Sequence, residues 1–358
     1  MNNPQTLNLD DLVRQLYNKN IDNALDMVLR TTPSGSIDKA IGNAMYGFNH
    51  RQQPGAIPVN KDYYGYTFFT RPNLNLTSNN LRAHRIMNSL LTNGPNSMQR
   101  IIRCILDPDL GRREVGVKTD FVDNRQAFIP ILSNTLISLS GWPDISPPVH
   151  VTQQGIYKEE HSWLDSPVAY NSTFEISLNM RNVPGNPVVQ LFFYWLWYMS
   201  LVYLGVMVPY PENNIMTRID YNTRIYRLVM DESKQYVRGI AASGASFPKS
   251  CPVGAMFNFE SDHPINPELH QLTINMQCIG AQFFDDILIE EFNRTSVMFN
   301  PTFADGKREK LYHKLSQTEL PYFNNVGYPR INPDTLELEW WVDNDHYNAL
   351  ISTAKPTL

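Results

Sequence analysis

Between residues 8 and 30 the apolar positions Leu9, Leu12, Leu16, Ile21, Leu25 and Val28/Leu29 recur every three to four residues. This spacing predicts an amphipathic helix. Asp10 and Asp11 in its first turn and Arg30 at its end suit the helix dipole, and Thr31 to Gly35 stop it. Residues 36–62 are rich in Gly, Gln and Pro and predict an extended arm. Two further helices are expected. One runs from Thr77-Ser78 through Leu81, Ile86, Leu90 and Leu91 to Asn93-Gly94-Pro95. The other runs from Ser97 through Met98, Ile101, Ile102, Ile105 and Leu106 to Asp107-Pro108. Residues 127–140 suggest a third, before the Gly141-Trp142-Pro143 break and the Pro147-Pro148 pair.

From about residue 168 the period shortens to two. Thr173 to Met180 alternates like a half-buried strand. Residues 219–230 meet 235–240 across the turn formers Asp231 to Lys234, which predicts a hairpin with a four-residue loop. Residues 269–292 predict a strand and a short helix, and Leu336 to Val342 alternates like an edge strand. No internal repeat occurs. The expected fold class is α+β: a helical N-terminal part, then a mixed or antiparallel sheet-rich part holding one long buried apolar helix. The corresponding division is 1–62 as helix and arm, 63–165 as a helical sub-domain, and 166–358 as a sheet-rich sub-domain.

That apolar helix is residues 188–208, 21 consecutive residues without a charge. About 20 apolar residues suffice to span a bilayer. Here, however, Phe192, Phe193, Tyr194, Trp195, Trp197, Tyr198 and Tyr203 lie through the middle instead of in two interfacial belts. No Lys/Arg cluster flanks the segment, and Pro187 and Pro209-Tyr210-Pro211 bound it. A helix buried in the core or in an oligomer interface is the expectation, with Trp195 and Trp197 as contact residues.

Composition sharpens the picture. Charged residues make up 18% of the chain, below the usual quarter, while there are 25 prolines and 17 Phe, 18 Tyr and 6 Trp. Few charges and many aromatics suit protein–protein interfaces, where strongly hydrated groups are costly to desolvate. A net charge of −5 argues against a nucleic-acid module. Cys104, Cys251 and Cys278 are odd in number and widely spaced, so reduced buried thiols are expected. The first residues carry no basic and apolar signal, so export is not expected, and the sequons at Asn75, Asn171 and Asn293 are chance matches.

Several motifs invite a chemical reading, and each has a simpler one. Ser246-x-x-Lys249 has the spacing of penicillin-binding enzymes, but Pro248 breaks the helical turn that chemistry needs. Asp262, His263, Glu268 and His270 are dense in ligand types, yet Pro264 and Pro267 interrupt them. Asp343-Asn344-Asp345 opens like a calcium loop, with Asn348 where Gly is required and Ala354 where Glu is required. Arg112-Arg113 and Lys307 to Lys314 are short, solvated basic runs. No phosphate loop, dinucleotide fingerprint or nucleophile elbow occurs. No catalytic residue, cofactor or metal is expected.

Several phrases resemble virion structural proteins of large contractile-tailed bacteriophages, of tail or baseplate type. They are Tyr66 to Leu76, Ile219 to Arg227, Phe257 to Pro264, Gln277 to Gly280 and Glu290 to Asn293. The resemblance implies a non-enzymatic structural subunit of the virion. Such a subunit would be assembled in the host cytoplasm, with other virion proteins and copies of itself as partners, and contact with a membrane is not expected. A neck or head protein, a membrane-active ejection protein using 188–208, and a cytosolic phage enzyme are the alternatives. Residues 66–76 fit the structural reading: Arg71-Pro72 imposes an extended chain, and Tyr66, Phe68, Leu74 and Leu76 make an apolar strip expected to lie against a neighbouring subunit, with cover of the helices at 78–106 in its own subunit as the alternative.

Overall fold

The computed structural model describes residues 48, 60, 62–63, 65–168, 171–216, 219–258, 270–323 and 327–354. The expected helix at 8–30, nearly all of the arm at 36–62, and Asp262, His263 and Glu268 lie outside these. Residues 62–358 form one contact-dense unit.

Its centre is a six-stranded antiparallel sheet. In chain order its strands are β1 (Thr67–Phe69), β2 (Leu136–Ser140), β5 (Thr173–Arg181), β6 (Ile225–Met230), β7 (Val237–Pro248) and β8 (Gln271–Phe283). Their order in the sheet is β1-β6-β7-β8-β5-β2. Strands β3 (Val149–Val151) and β4 (Ser162–Leu164) make a separate two-stranded ribbon, and β9 (Tyr312–Lys314), β10 (Tyr328–Ile331) and β11 (Leu338–Asp343) make a three-stranded sheet of order β10-β11-β9. The longer helices are α1 (Met98–Leu106), α2 (Pro187–Tyr203), α3 (Ile287–Phe299) and α4 (Asn344–Ala354). Strands drawn from both sides of residue 165 share the central sheet.

The period-two stretches became strands for the expected reason. Along β5 and β8, Ile176, Leu178, Met180, Leu272, Ile274, Met276 and Cys278 all fall on one buried face. Helix α2 covers it with Val188, Leu191, Phe192, Trp195 and Tyr198 in the same core cluster. Adjacent strand residues face opposite ways, so Tyr226, Leu228 and Met230 build a second cluster with Leu288, Ile289 and Phe292 of α3, while Ile225 belongs to the first. The β6–β7 hairpin is fastened by Asp231, whose carboxylate accepts from the Gln235 and Tyr236 amides at 3.0 Å each.

Three expectations are corrected. The helix expected over 77–93 is one turn, Ser78–Leu81, followed by a 3-10 turn, Met87–Leu90. Residues 127–140 divide into a short helix, Pro130–Thr135, and strand β2, because Leu136 begins to pair with β5. The tail strand β11 is central, not an edge. Trp341 faces Tyr328 on one side and Lys314 on the other, and Glu339 is accommodated inside by Lys314 and Arg330. The segment expected as a helix over 188–208 is helical from Pro187 to Tyr203 and stops five residues short, with Gly205 at φ +70° beyond it. Among the described residues no helix is long and apolar enough to cross a membrane.

Candidate assembly surfaces

The strip at 66–76 is extended, as Arg71-Pro72 requires, but most of it points inward. Thr67 and Phe69 pair with Arg227 and Ile225 on β6. Phe68 packs among Phe128, Phe292 and Trp340, and Leu74 and Leu76 are completely buried. The Leu74 amide donates to the Leu106 carbonyl at 3.1 Å and the Leu76 amide to Asp107 Oδ2 at 3.0 Å. Side chains with no exposed surface cannot meet a neighbour, so the strip is core rather than interface. Its apolar side chains are covered by their own subunit. Of these only Tyr66, 40% exposed and resting edge-on against Trp340, keeps an outward surface.

Arg71 explains why the strip turns inward. Its Nε donates to the Ile105 carbonyl at 2.9 Å, its Nη1 to the Asp123 and Gln126 carbonyls at 3.2 Å each, and its Nη2 to the Cys104 carbonyl. Burial pulls this guanidinium down to about 10, still charged at neutral pH, with Cys104, Asp107 and Asp123 opposing the shift. One fork therefore ties the end of α1 to the loop before Pro130. Beside it Asp107 is fully buried and accepts from the Leu76 and Asp109 amides and the Tyr210 hydroxyl. Burial pushes the Asp107 carboxyl up to about 6, against those hydrogen bonds. Trp195 is likewise internal and donates from Nε1 to the Tyr221 carbonyl at 3.0 Å, whereas Trp197 is half-buried and stacks on His84.

These motifs have structural roles. Ser246 is buried in β7, its Oγ 2.7 Å from Ser243 Oγ and 3.1 Å from Cys278 Sγ, while Lys249 pairs with Glu175 at 2.6 Å. Asp343 Oδ1 accepts from the Asp345 amide at the start of α4. His270 is exposed at the entry to β8. Among the described residues no group of three or more His, Cys, Asp or Glu could hold a metal. A cleft of about 720 Å³ lies between α1, the 120–131 loop and the start of α2, with the spent Arg71 in its wall.

The surface that the sequence reading missed is the β3–β4 ribbon. Gly141 stands at φ +106° where a Cβ would collide with the Glu175 carbonyl oxygen. The chain thereby leaves the sheet edge, and from Asp144 to Pro167 every residue except Thr152 is exposed. Val149 pairs with Leu164 and Val151 with Ser162; His150 and Trp163 lie on the reverse face with ring centroids 5.0 Å apart. At the tip Ile156 and Tyr157 are 95% and 90% exposed. The signal was present as V-H-V and S-W-L flanking Gly155, but a strand of three residues is too short to show a period.

Two other surfaces stand out. Residues 82–118 carry seven Arg or Lys against three Asp or Glu. Arg82 and Arg85 are exposed, with no ion-pair partner among the described residues. The sheet face opposite α2 is polar: Asn179 bonds to Ser138 and Thr273 at 2.8 Å each, Ser177 lies opposite Asn275, and Glu175, opposite Gln277, is paired with Lys249.

No curated protein matches the chain. Among solved structures it is similar to the anti-feeding prophage cap, an AFP tube-terminating cap. The identity is 15% and the TM-score 0.26, covering 44% of this chain and 81% of that one. It is also similar to the PVC sheath/tube terminator of an extracellular contractile injection system in its extended state. There the identity is 13% and the TM-score 0.25, covering 44% of this chain and 85% of that one. Likenesses at these TM-scores carry no argument about the fold. The family model described as "Putative phage tail tube protein" matches residues 10–356. The chain belongs to the phage tail tube protein family.

Proposed function

We propose that this tail structural component is a wall subunit of the tube itself, working without catalysis through contacts with copies of itself and with other tail proteins. The family match over residues 10–356 carries this reading. Membership of a tube family favours the tube over the baseplate, which the phage-like phrases alone left open. The surface supports it as well. A wall subunit needs one face for the channel and others for its neighbours. The Ser, Thr, Asn and Gln face of the central sheet offers a wettable lining that neither strongly attracts nor repels a charged cargo. The β3–β4 ribbon offers apolar surface whose burial needs a partner.

Quantitative mass spectrometry of purified tails tests the reading, together with electron microscopy of the purified chain. Rings or tubes, and a copy number that scales with tail length, are expected. A copy number equal to one ring, or enrichment in a baseplate fraction, would overturn the wall assignment.

A further inference from the structure

Among the described residues, no hydrogen bond, ion pair or ring contact ties the β3–β4 ribbon to the rest of its subunit. A two-stranded hairpin is at best marginally stable in water, yet this one carries Val149, Val151, Ile156, Tyr157, Trp163 and Leu164 into solvent. It is also acidic: residues 144–165 hold Asp144, Glu159, Glu160 and Asp165 against Lys158 alone. Among the described residues, a complementary exposed surface lies within residues 82–118. It has a four-charge basic excess and exposes the apolar side chain of Val115. Val208 lies alongside, its amide held by Asn80 Oδ1 at 3.1 Å. Among the described residues no hydrogen bond or ion pair joins the ribbon to this surface within one subunit.

We propose that the β3–β4 ribbon of one subunit docks on the 82–118 surface of a second copy of this chain. Glu159 and Glu160 would face Arg82 and Arg85, and the ribbon's apolar side chains would be covered. This rests on the reading that subunits assemble with one another. The contact is heterologous, since different patches meet, so its repetition produces a ring or a continuing helical array instead of a closed dimer. Charge complementarity of this kind sets register and encounter rate, while the apolar side chains supply the lasting contact.

The test uses the full-length chain in three forms: Glu159→Lys/Glu160→Lys, Arg82→Glu/Arg85→Glu, and all four substitutions together. Each pair is expected to raise the concentration needed for ring or tube formation at least about tenfold, with the monomer melt unchanged. The fourfold variant, whose charges are complementary again, should recover to within a few-fold of wild type. Trp163→Ser, which leaves every charge in place, should also impair assembly. Wild-type assembly by either pair variant, or a fourfold variant no better than the pairs, overturns the docking while leaving the tube reading intact. Protection of the ribbon only on addition of a different tail protein does the same. A wild-type chain that never self-associates overturns both.

Discussion

Asp107 is the residue at which burial and hydrogen bonding pull hardest against each other. Its carboxyl lies near 6 in the folded chain against 3.8 in the unfolded one, so folding favours the protonated form. That contribution is complete below the unfolded value and is lost as pH rises through about 6. A two-unit displacement corresponds to an upper figure of ~3 kcal/mol. Asp107→Asn is expected to destabilise the chain at both ends of this range, because the amide cannot accept from the Leu76, Asp109 and Tyr210 donors together. Leaving one unpaired costs about 1–3 kcal/mol. The wild-type advantage over the variant should shrink between about pH 4 and about pH 7, as read by urea unfolding. An advantage that is flat with pH would show that Asp107 stays ionised throughout. At Arg71 the geometry makes a different demand. Lysine cannot reach four carbonyls from one planar fork, so Arg71→Lys should lower stability by roughly 2–4 kcal/mol, one unpaired buried carbonyl at a time. A melt within a degree or two of wild type would mean that water replaces the fork.

Among the elements, period told more than apolarity did. Strand β5, the β6–β7 hairpin and α1 were legible because each shows its own spacing over enough residues, and α1 also has Ser97 accepting from the Arg100 amide. The destination of an apolar strip is another matter. Leu74 and Leu76 look the same in sequence whether a neighbour or the strip's own subunit covers them, and only the path of the chain past Arg71 decides. Replacing both with Ser is now expected to drop the melting temperature sharply, since each change removes a buried side chain and adds a hydroxyl, about 3 kcal/mol apiece. A folded double variant that merely fails to assemble would restore the interface assignment. The β3–β4 ribbon was illegible for the opposite reason: what stabilises it lies outside the subunit, so its own pattern is weak. Its amides should exchange rapidly in the free subunit and slowly in assembled tubes.

Across the whole molecule the charges are few and unevenly placed, with an acidic ribbon and a basic 82–118 surface on a chain of net charge −5. Attraction between exposed charges is screened over about 8 Å at physiological ionic strength. Assembly should therefore slow and weaken as salt is raised, and turbidity or light scattering across a salt series would show it. An assembly rate that rises steadily with salt would place the driving force in apolar contact alone. The helix expected over 8–30 lies outside the described residues, and the family match begins at residue 10. The sheet draws β1 and β2 from before residue 165 and four strands from after it. A division read from local composition could not anticipate that, because strand pairing is set by partners far apart in sequence.

That distance has a consequence on the ribosome. Helix α2 is finished at Tyr203, but β8, which supplies half of the buried sheet face beneath it, starts only at Gln271. At about 5–20 residues per second, a ribbon of Val, Phe, Trp and Tyr side chains waits several seconds with half its cover unmade. Nascent chains arrested between those points should bind holding chaperones or aggregate, whereas chains arrested after Phe283 has cleared the exit tunnel should not.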